Sequence, residues 1–312
     1  MTKLFSKLKN YLVIALSFAA LLASIGPATY APIDADNLKL NFAVIADTHI
    51  ATLPEEARGI RLALGLKDVA KAQVRSDAFV ICGDLTERGT AYEYKKLGAV
   101  LNTFCRTDNL LPGMGNHDIR GIKISPEFGP SYEKSAAKYR AFLADTTDIA
   151  EDTIYFHKVI KDCYFIVLNT EEVEELETSL SADQLSWLDG LLAQAAASGN
   201  PVFVFNHQPM RRVGKDAAAL MAVLQKYNGL ADVFFIAGHM HDGFSPNTIK
   251  RNGSLYFVDL PAYGKKSDGE YPTPGSGFLV ELYEGEIVFR ARNFIQGEWK
   301  SECDWTIALA GR

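Results

Sequence analysis

Leu40-Asn41-Phe42-Ala43-Val44-Ile45-Ala46 runs directly into Asp47-Thr48-His49. Seven residues in which Asn41 alone is polar read as a buried strand, and a carboxylate and an imidazole follow at its carboxyl end. The same arrangement recurs downstream. Ala78 to Cys82 leads into Gly83-Asp84, and Leu110 to Met114 into Gly115-Asn116-His117-Asp118. Pro201 to Phe205 leads into Asn206-His207, and Val233 to Ile236 reaches Gly238-His239-Met240-His241 one residue later. Between these strands lie helical patterns, at Ala57 to Arg75 (Ile60, Leu64 and Val69 on one face), Ala91 to Phe104 and Ser131 to Ala144. Strand and helix in alternation give the α/β class.

The remaining chain extends this pattern. Thr153 to Ile160 and Cys163 to Asn169 meet at Lys161-Asp162 and predict a hairpin. Ser181 with Gln184 opens a helix in the manner of a capping box, with Leu185, Leu188, Leu191 and Leu192 as its apolar stripe. The C-terminal part is strand-rich, at Leu255 to Asp259, Phe278 to Tyr283 and Ile287 to Ala291, and Arg120 to Pro130 reads as a surface loop. No repeat or linker divides residues 38–312, so one domain with two central β-sheets flanked by helices is the simplest architecture. Of 312 residues, 48% are hydrophobic and 22% charged, which excludes a disordered or multi-span membrane protein. The formal charge of −6 argues against nonspecific nucleic-acid binding.

Residues 1–31 read as an export signal. Lys3, Lys7 and Lys9 precede an apolar run from Tyr11 to Ile25, and the first acidic residue is Asp34. Thr29-Tyr30-Ala31 before Pro32 is a poor cleavage site, so two outcomes stay open: a periplasmic or secreted protein, or one anchored to a membrane by residues 11–25. Membrane contact is expected through this segment only. The four cysteines form no C-x-x-C pair, and Cys82 and Cys163 fall in strand-like runs as buried thiols.

Five of the six histidines fall in the strand-end motifs; the sixth, His157, lies within a strand-like run and reads as structural. Ligands bind at strand carboxyl ends in α/β proteins, so the five motifs can converge on one cleft. Imidazole, carboxylate and amide oxygen together suit Mn, Fe or Zn.

In these five blocks and their order, D-x-H, G-D, G-N-H-D, H and G-H-x-H, the chain resembles the calcineurin-like metallophosphoesterase superfamily from Asn41 to about Arg292. The resemblance implies a four-layer α/β/β/α sandwich. It implies one metal held by Asp47, His49 and His241, a second by Asn116, His207 and His239, and Asp84 bridging them. A shared carboxylate offsets the repulsion of two cations about 3.5–4 Å apart. His117, left without a metal, would protonate the leaving oxygen or stabilise the transition state. In many relatives an aspartate three residues after the bridging aspartate orients that histidine. Here Glu87 stands there, one methylene longer, with Asp118 as a rival partner or a loop cap.

Met114, where protein serine/threonine phosphatases carry arginine, disfavours their substrates. Glu87, where purple acid phosphatases carry a metal-bound tyrosine, removes their tyrosinate. The run from Gly83 to Gly89 looks more like class III cyclic nucleotide phosphodiesterases. Arg211 and Arg212 are candidates to contact a phosphate or a polar substrate, against the alternative of a solvated basic loop. The implied function is a dinuclear metal-dependent phosphoesterase cleaving small phosphodiesters or phosphomonoesters by in-line attack of a metal-bound hydroxide. A noncatalytic metal- or phosphate-binding domain, or a nuclease, is the alternative. The intact ligand set favours the enzyme, and the acidic balance speaks against long nucleic acid.

Overall fold

The computed structural model describes residues 29–52, 57–119, 132–172, 176–264 and 274–310. The first half runs β1 (Leu40–Ile45), α1 (Ala57–Val69), β2 (Ala78–Ile81), α2 (Ala91–Phe104), β3 (Asn109–Pro112), α3 (Asn116–Ile119), α4 (Tyr132–Thr146), β4 (Phe156–Ile160) and β5 (Cys163–Val167). The second half runs α5 (Ala182–Ser198), β6 (Val202–Phe205), α6 (Ala217–Gln225), β7 (Val233–Ala237), β8 (Ile249–Asn252) and β9 (Leu255–Asp259). It closes with β10 (Ser276–Leu282), β11 (Glu286–Asn293), β12 (Glu298–Trp299) and β13 (Trp305–Ala308).

Two mixed sheets result. One has the order β12-β11-β10-β1-β2-β3, with β13 also pairing β11, and the other β4-β5-β6-β7-β9-β8. Strands β1, β2 and β3 are mutually parallel, as are β5, β6, β7 and β9. The two sheets bury aromatic faces against each other: the Phe42 ring lies 5.0 Å from Phe165 and 4.9 Å from Phe203, in edge-to-face contact. The neighbours in sequence, Ile166 and Val204, point the other way into a second apolar layer under Leu188, Leu192, Leu220 and Leu224 of α5 and α6. That period of two is why these strands read as continuous apolar runs, since both faces are covered. Leu62, Leu66, Leu97 and Leu101 of α1 and α2 are buried in the first sheet's core, completing the four layers expected from the sequence.

The predicted hairpin forms, with Ile160 opposite Cys163 and positive φ at both Lys161 (47°) and Asp162 (63°). That is the pattern of a tight primed turn. Cys82 and Cys163 are buried free thiols. Ser181 caps α5 by accepting from Gln184 N at 3.1 Å, but the return half of the box is missing. The Gln184 amide instead donates to Asn169 O and Glu171 Oε2. A full capping box stands at Thr90 and Glu93 on α2. The exposed edge strand β8, with Lys-Arg-Asn after Ile249, carries no apolar alternation and was not legible.

Helix α1 ends at Val69, six residues short of the expected Arg75, because the chain beyond it pairs with the N-terminal segment. Thr29 N donates to Lys71 O, and Gln73 N donates to Tyr30 O, both at 2.9 Å. Tyr30 is buried with its ring 5.3 Å from Trp299 and the Arg292 guanidinium 4.3 Å above it. The buried Glu281 accepts from Ile33 N and from Arg290, which also donates to Ala31 O. The folded body therefore starts upstream of residue 38. Most of the export segment and the expected loop at residues 120–130 lie outside the described residues. Among the described residues, no helix is long and apolar enough to cross a membrane.

Candidate metal centre

The parallel strands bring their carboxyl ends to one edge of the sandwich, and all five motifs meet there. Backbone bonds join the loops after β1 and β2: Asp47 N donates to Gly83 O, His49 N to Asp84 O and Ile50 N to Leu85 O. Asp47 Oδ2 accepts from His239 N at 3.1 Å, which ties the β7 loop to the β1 loop across the two sheets. The price of this convergence is local backbone strain. Asp47, His49, Asp84, His239 and His241 all have left-handed φ, between 46° and 73°. Non-glycine residues avoid this region, and where they occupy it the surrounding structure holds them there.

Ligand atoms of Asp47, His49, Asp84 and His241 lie within 4.8 Å of one another. His49 Nε2 and His241 Nε2 face each other at 3.1 Å, with Asp47 Oδ1 3.1 Å from His241 Nε2. On the other side of Asp84, His207 Nε2 stands 3.2 Å from its Oδ1, and Asn116 Oδ1 stands 3.1 Å from His239 Nδ1. Asp84 thus faces both groups, Oδ2 towards His49 at 3.5 Å and Oδ1 towards His207. His207 Nδ1 lies 2.9 Å from Cys82 O, an arrangement that puts a ring proton on Nδ1 and leaves Nε2 as the nitrogen that faces Asp84 and would ligate an ion there. That Nε2 is buried with no hydrogen-bond partner.

The donor chemistry fits two cations. Asp47 and Asp84 are completely buried, which opposes ionisation, yet the surrounding imidazoles hold both carboxyls well below the ordinary range. Burial likewise opposes a charge on His207, but Asp84 lifts its pKa to about 9. His239 is pushed down to about 4, first by burial and then by His207. Two buried carboxylates ringed by imidazole and amide lone pairs require positive charge, and divalent ions supply it through the same atoms.

His117 lies beside this cluster. Its ring centroid is 4.5 Å from that of His49, and Nε2 is 3.9 Å from Asp84 Oδ2. Nδ1 is 2.9 Å from Glu87 O and 3.6 Å from Glu87 Oε1, so Glu87 is the carboxylate beside the ring. Asp118 is placed otherwise. Its oxygens accept from Leu85 N, Thr86 N, Thr86 Oγ1 and Gly115 N, and burial raises its pKa to about 6. Of its two alternatives, it is the loop cap: it clamps the β2 loop to the β3 loop.

The cleft over the centre, about 260 Å³, is lined by Asn116, His117, Leu176, Arg212, His239, Met240 and His241. Arg212 therefore reaches the site. Arg211 pairs with Asp259 and approaches Asp242, outside that lining. The sequence reading missed Leu176, Met240 and, below the site, Arg58, whose guanidinium bonds both His49 O and Glu87. One of three cations on an amphipathic helix, beside Arg61 and Lys67, Arg58 gives no signal of its own.

Residues 40–243 match the sequence model of the family described as calcineurin-like phosphoesterase. The chain is 29% identical over 266 residues to a cAMP/cGMP dual specificity phosphodiesterase of Mycobacterium tuberculosis, covering 78% of this chain and 76% of that protein. It is 26% identical over 244 residues to a 3',5'-cyclic-nucleotide phosphodiesterase of Nostoc sp., covering 73% and 79%. Among solved structures, a dimetal phosphatase from Danio rerio superposes with a TM-score of 0.62 at 18% identity, over 88% of this chain and 100% of that one.

Proposed function

The chain belongs to the calcineurin-like phosphoesterase family, and from that membership we propose a metal-dependent phosphodiesterase of small phosphoesters, cyclic nucleotides first among them. It is a phosphoric ester hydrolase that works with two metal ions. The carrying observation is the convergence of Asp47, His49, Asp84 and His241 within 4.8 Å, opposite the bare Nε2 of His207. The cyclic nucleotide substrate is supported by the names of the two bacterial relatives.

Asp47, His49 and His241 would hold one ion and Asn116, His207 and His239 the other, with Asp84 placed between the two groups. When bound, the two ions supply Lewis-acid polarisation of the phosphoester and an activated water. Mn, Fe and Zn all suit the nitrogen and oxygen donors. The protein's own part is positioning and proton transfer. The guanidinium of Arg212 in the cleft wall faces an incoming anion, and Leu176 and Met240 give an apolar surface for the rest of the substrate. His117, with Nδ1 turned to Glu87 and Nε2 towards the cleft, protonates the departing oxygen as the P–O bond breaks. The basic and apolar leader supports export, to the periplasm or the medium, or anchoring by residues 11–25.

The test uses purified, Mn-loaded protein with 3',5'-cAMP, bis(p-nitrophenyl) phosphate and p-nitrophenyl phosphate. Hydrolysis of cAMP and the synthetic diester is expected. Activity on the monoester alone would overturn the cyclic nucleotide substrate, and no activity on any of the three would overturn the enzyme reading.

A further inference from the structure

Glu87 hangs between two imidazoles. Oε2 is 3.3 Å from His49 Nδ1 and Oε1 is 3.6 Å from His117 Nδ1, while the hydrogen bond of His117 Nδ1 goes to the backbone carbonyl of the same Glu87 at 2.9 Å, so both the arm and the main chain of Glu87 face the ring. A glutamate side chain has three torsions and no reason of its own to stay in that position. Among the described residues, Arg58 holds it: at the start of α1 and almost wholly buried, its Nη1 is 2.5 Å from Glu87 Oε2 and 3.0 Å from His49 O. One guanidinium nitrogen therefore grips the carboxylate behind His117 and the backbone of His49. Arginine suits this because its donors are fixed in a plane and its charge does not titrate.

We propose that Arg58 is a positioning residue for His117, acting through Glu87: it removes the slack of the longer carboxylate arm and so fixes the imidazole that protonates the leaving group. The inference rests on the phosphoesterase reading for its kinetic arm. In the reaction, water's oxygen forms the new P–O bond and the scissile P–O bond breaks with its electron pair on the leaving oxygen. That oxygen takes the proton from His117 Nε2, and solvent restores it. An alkoxide or phenoxide leaving group needs that proton, and p-nitrophenoxide hardly does.

The measurement compares wild type, Arg58→Lys and Arg58→Met, each with Glu87 and with Glu87→Asp, on aryl phosphodiesters from p-nitrophenyl to phenyl. Loss of positioning should lower kcat on the phenyl ester by about 10- to 100-fold, a part of the ~10²–10⁴-fold that a general acid supplies. The p-nitrophenyl ester should fall by less than about fivefold, with KM and metal content unchanged. With Glu87→Asp, the Arg58 effect should shrink, because the shorter arm no longer reaches the guanidinium. Equal loss on all esters, loss of metal, or an undiminished effect with Glu87→Asp would overturn the proposal. An independent arm needs no activity: in metal-free, folded protein, the His117 Nδ1–H, which the Glu87 carbonyl accepts, should be slow to exchange in wild type and faster in Arg58→Met. Identical exchange would overturn the proposal even if the enzyme reading failed separately.

Discussion

Gly115→Ala tests how closely backbone must approach the centre. Gly115 is not among the residues with positive φ, so alanine there brings no conformational penalty and its effect is steric. A methyl would lie 2.3 Å from Asp84 N and from Asp84 Oδ1, and 2.7 Å from His207 Cδ2. Real Cβ atoms stay beyond 3.0 Å from such neighbours. Asp84 must then retreat by roughly 0.7 Å, several times the ~0.2 Å tolerance of a metal–ligand bond. The movement also stretches the bond from His117 N to Asp84 Oδ1, now 2.8 Å. Overpacking of this kind costs about 1–3 kcal/mol of stability. Metal affinity should fall by roughly 10- to 100-fold, and kcat/KM by about 100-fold. Gly190→Ala is the control: it lies inside α5 with nothing within 4 Å and should stabilise by about 0.5–1 kcal/mol. Urea unfolding, metal titration and hydrolysis of bis(p-nitrophenyl) phosphate read the three quantities. A folded Gly115→Ala protein that binds Mn and turns over as wild type would refute the claim that this glycine sets the place of Asp84.

The other expectations are more direct. Asp84→Asn should lose metal and activity together, measured by elemental analysis and rate, because the amide cannot bridge two cations; retention of two ions would contradict its position. His117→Ala should keep both metals and lose about 100-fold in kcat on substrates with poor leaving groups, and unchanged turnover would remove its role. Arg212→Ala should raise KM by about tenfold, worth about 1.4 kcal/mol of anion binding. Arg211→Ala should stay within about twofold, because Asp259 already holds its guanidinium. Tyr30→Ala should lower unfolding stability by about 3 kcal/mol in a urea titration. An unshifted midpoint would show that the N-terminal segment is not part of the folded body.

The strands were legible because they are covered on both faces: Phe42, Val44 and Ile45, or Phe203 and Val204, leave no polar residue to blur the run. The candidate site was legible for a related reason. Its residues stand at abrupt junctions where such a run ends in histidine or a carboxylate, and the five junctions hold every proposed ligand. What stayed hidden acts across the chain rather than along it. Arg58 meets Glu87 across 29 residues, and Tyr30 finds Trp299 and Arg292 at the far end of the sequence. Neither pair shares a helix turn or a strand alternation, so no local period marks it. Asp118 shows the converse. It sits inside a catalytic-looking block, and only the three-dimensional arrangement assigns its oxygens to the backbone of Leu85, Thr86 and Gly115.

The left-handed backbone at Asp47, His49, Asp84, His239 and His241 bears on how such a chain would drift if activity ceased to matter. Each of these conformations is worth up to about 1–2 kcal/mol in strain for an ordinary side chain, and together they rival the net stability of a typical domain. Glycine at any of them relieves strain, and at Asp47 or Asp84 it also removes a buried charge. A population selected for folding alone would therefore lose these residues early and gain heat resistance as it did so. Random variants sorted only for thermal survival should be enriched in glycine and asparagine at these five positions. Their presence as two aspartates and three histidines is then a sign that selection has acted on chemistry against the preference of the fold.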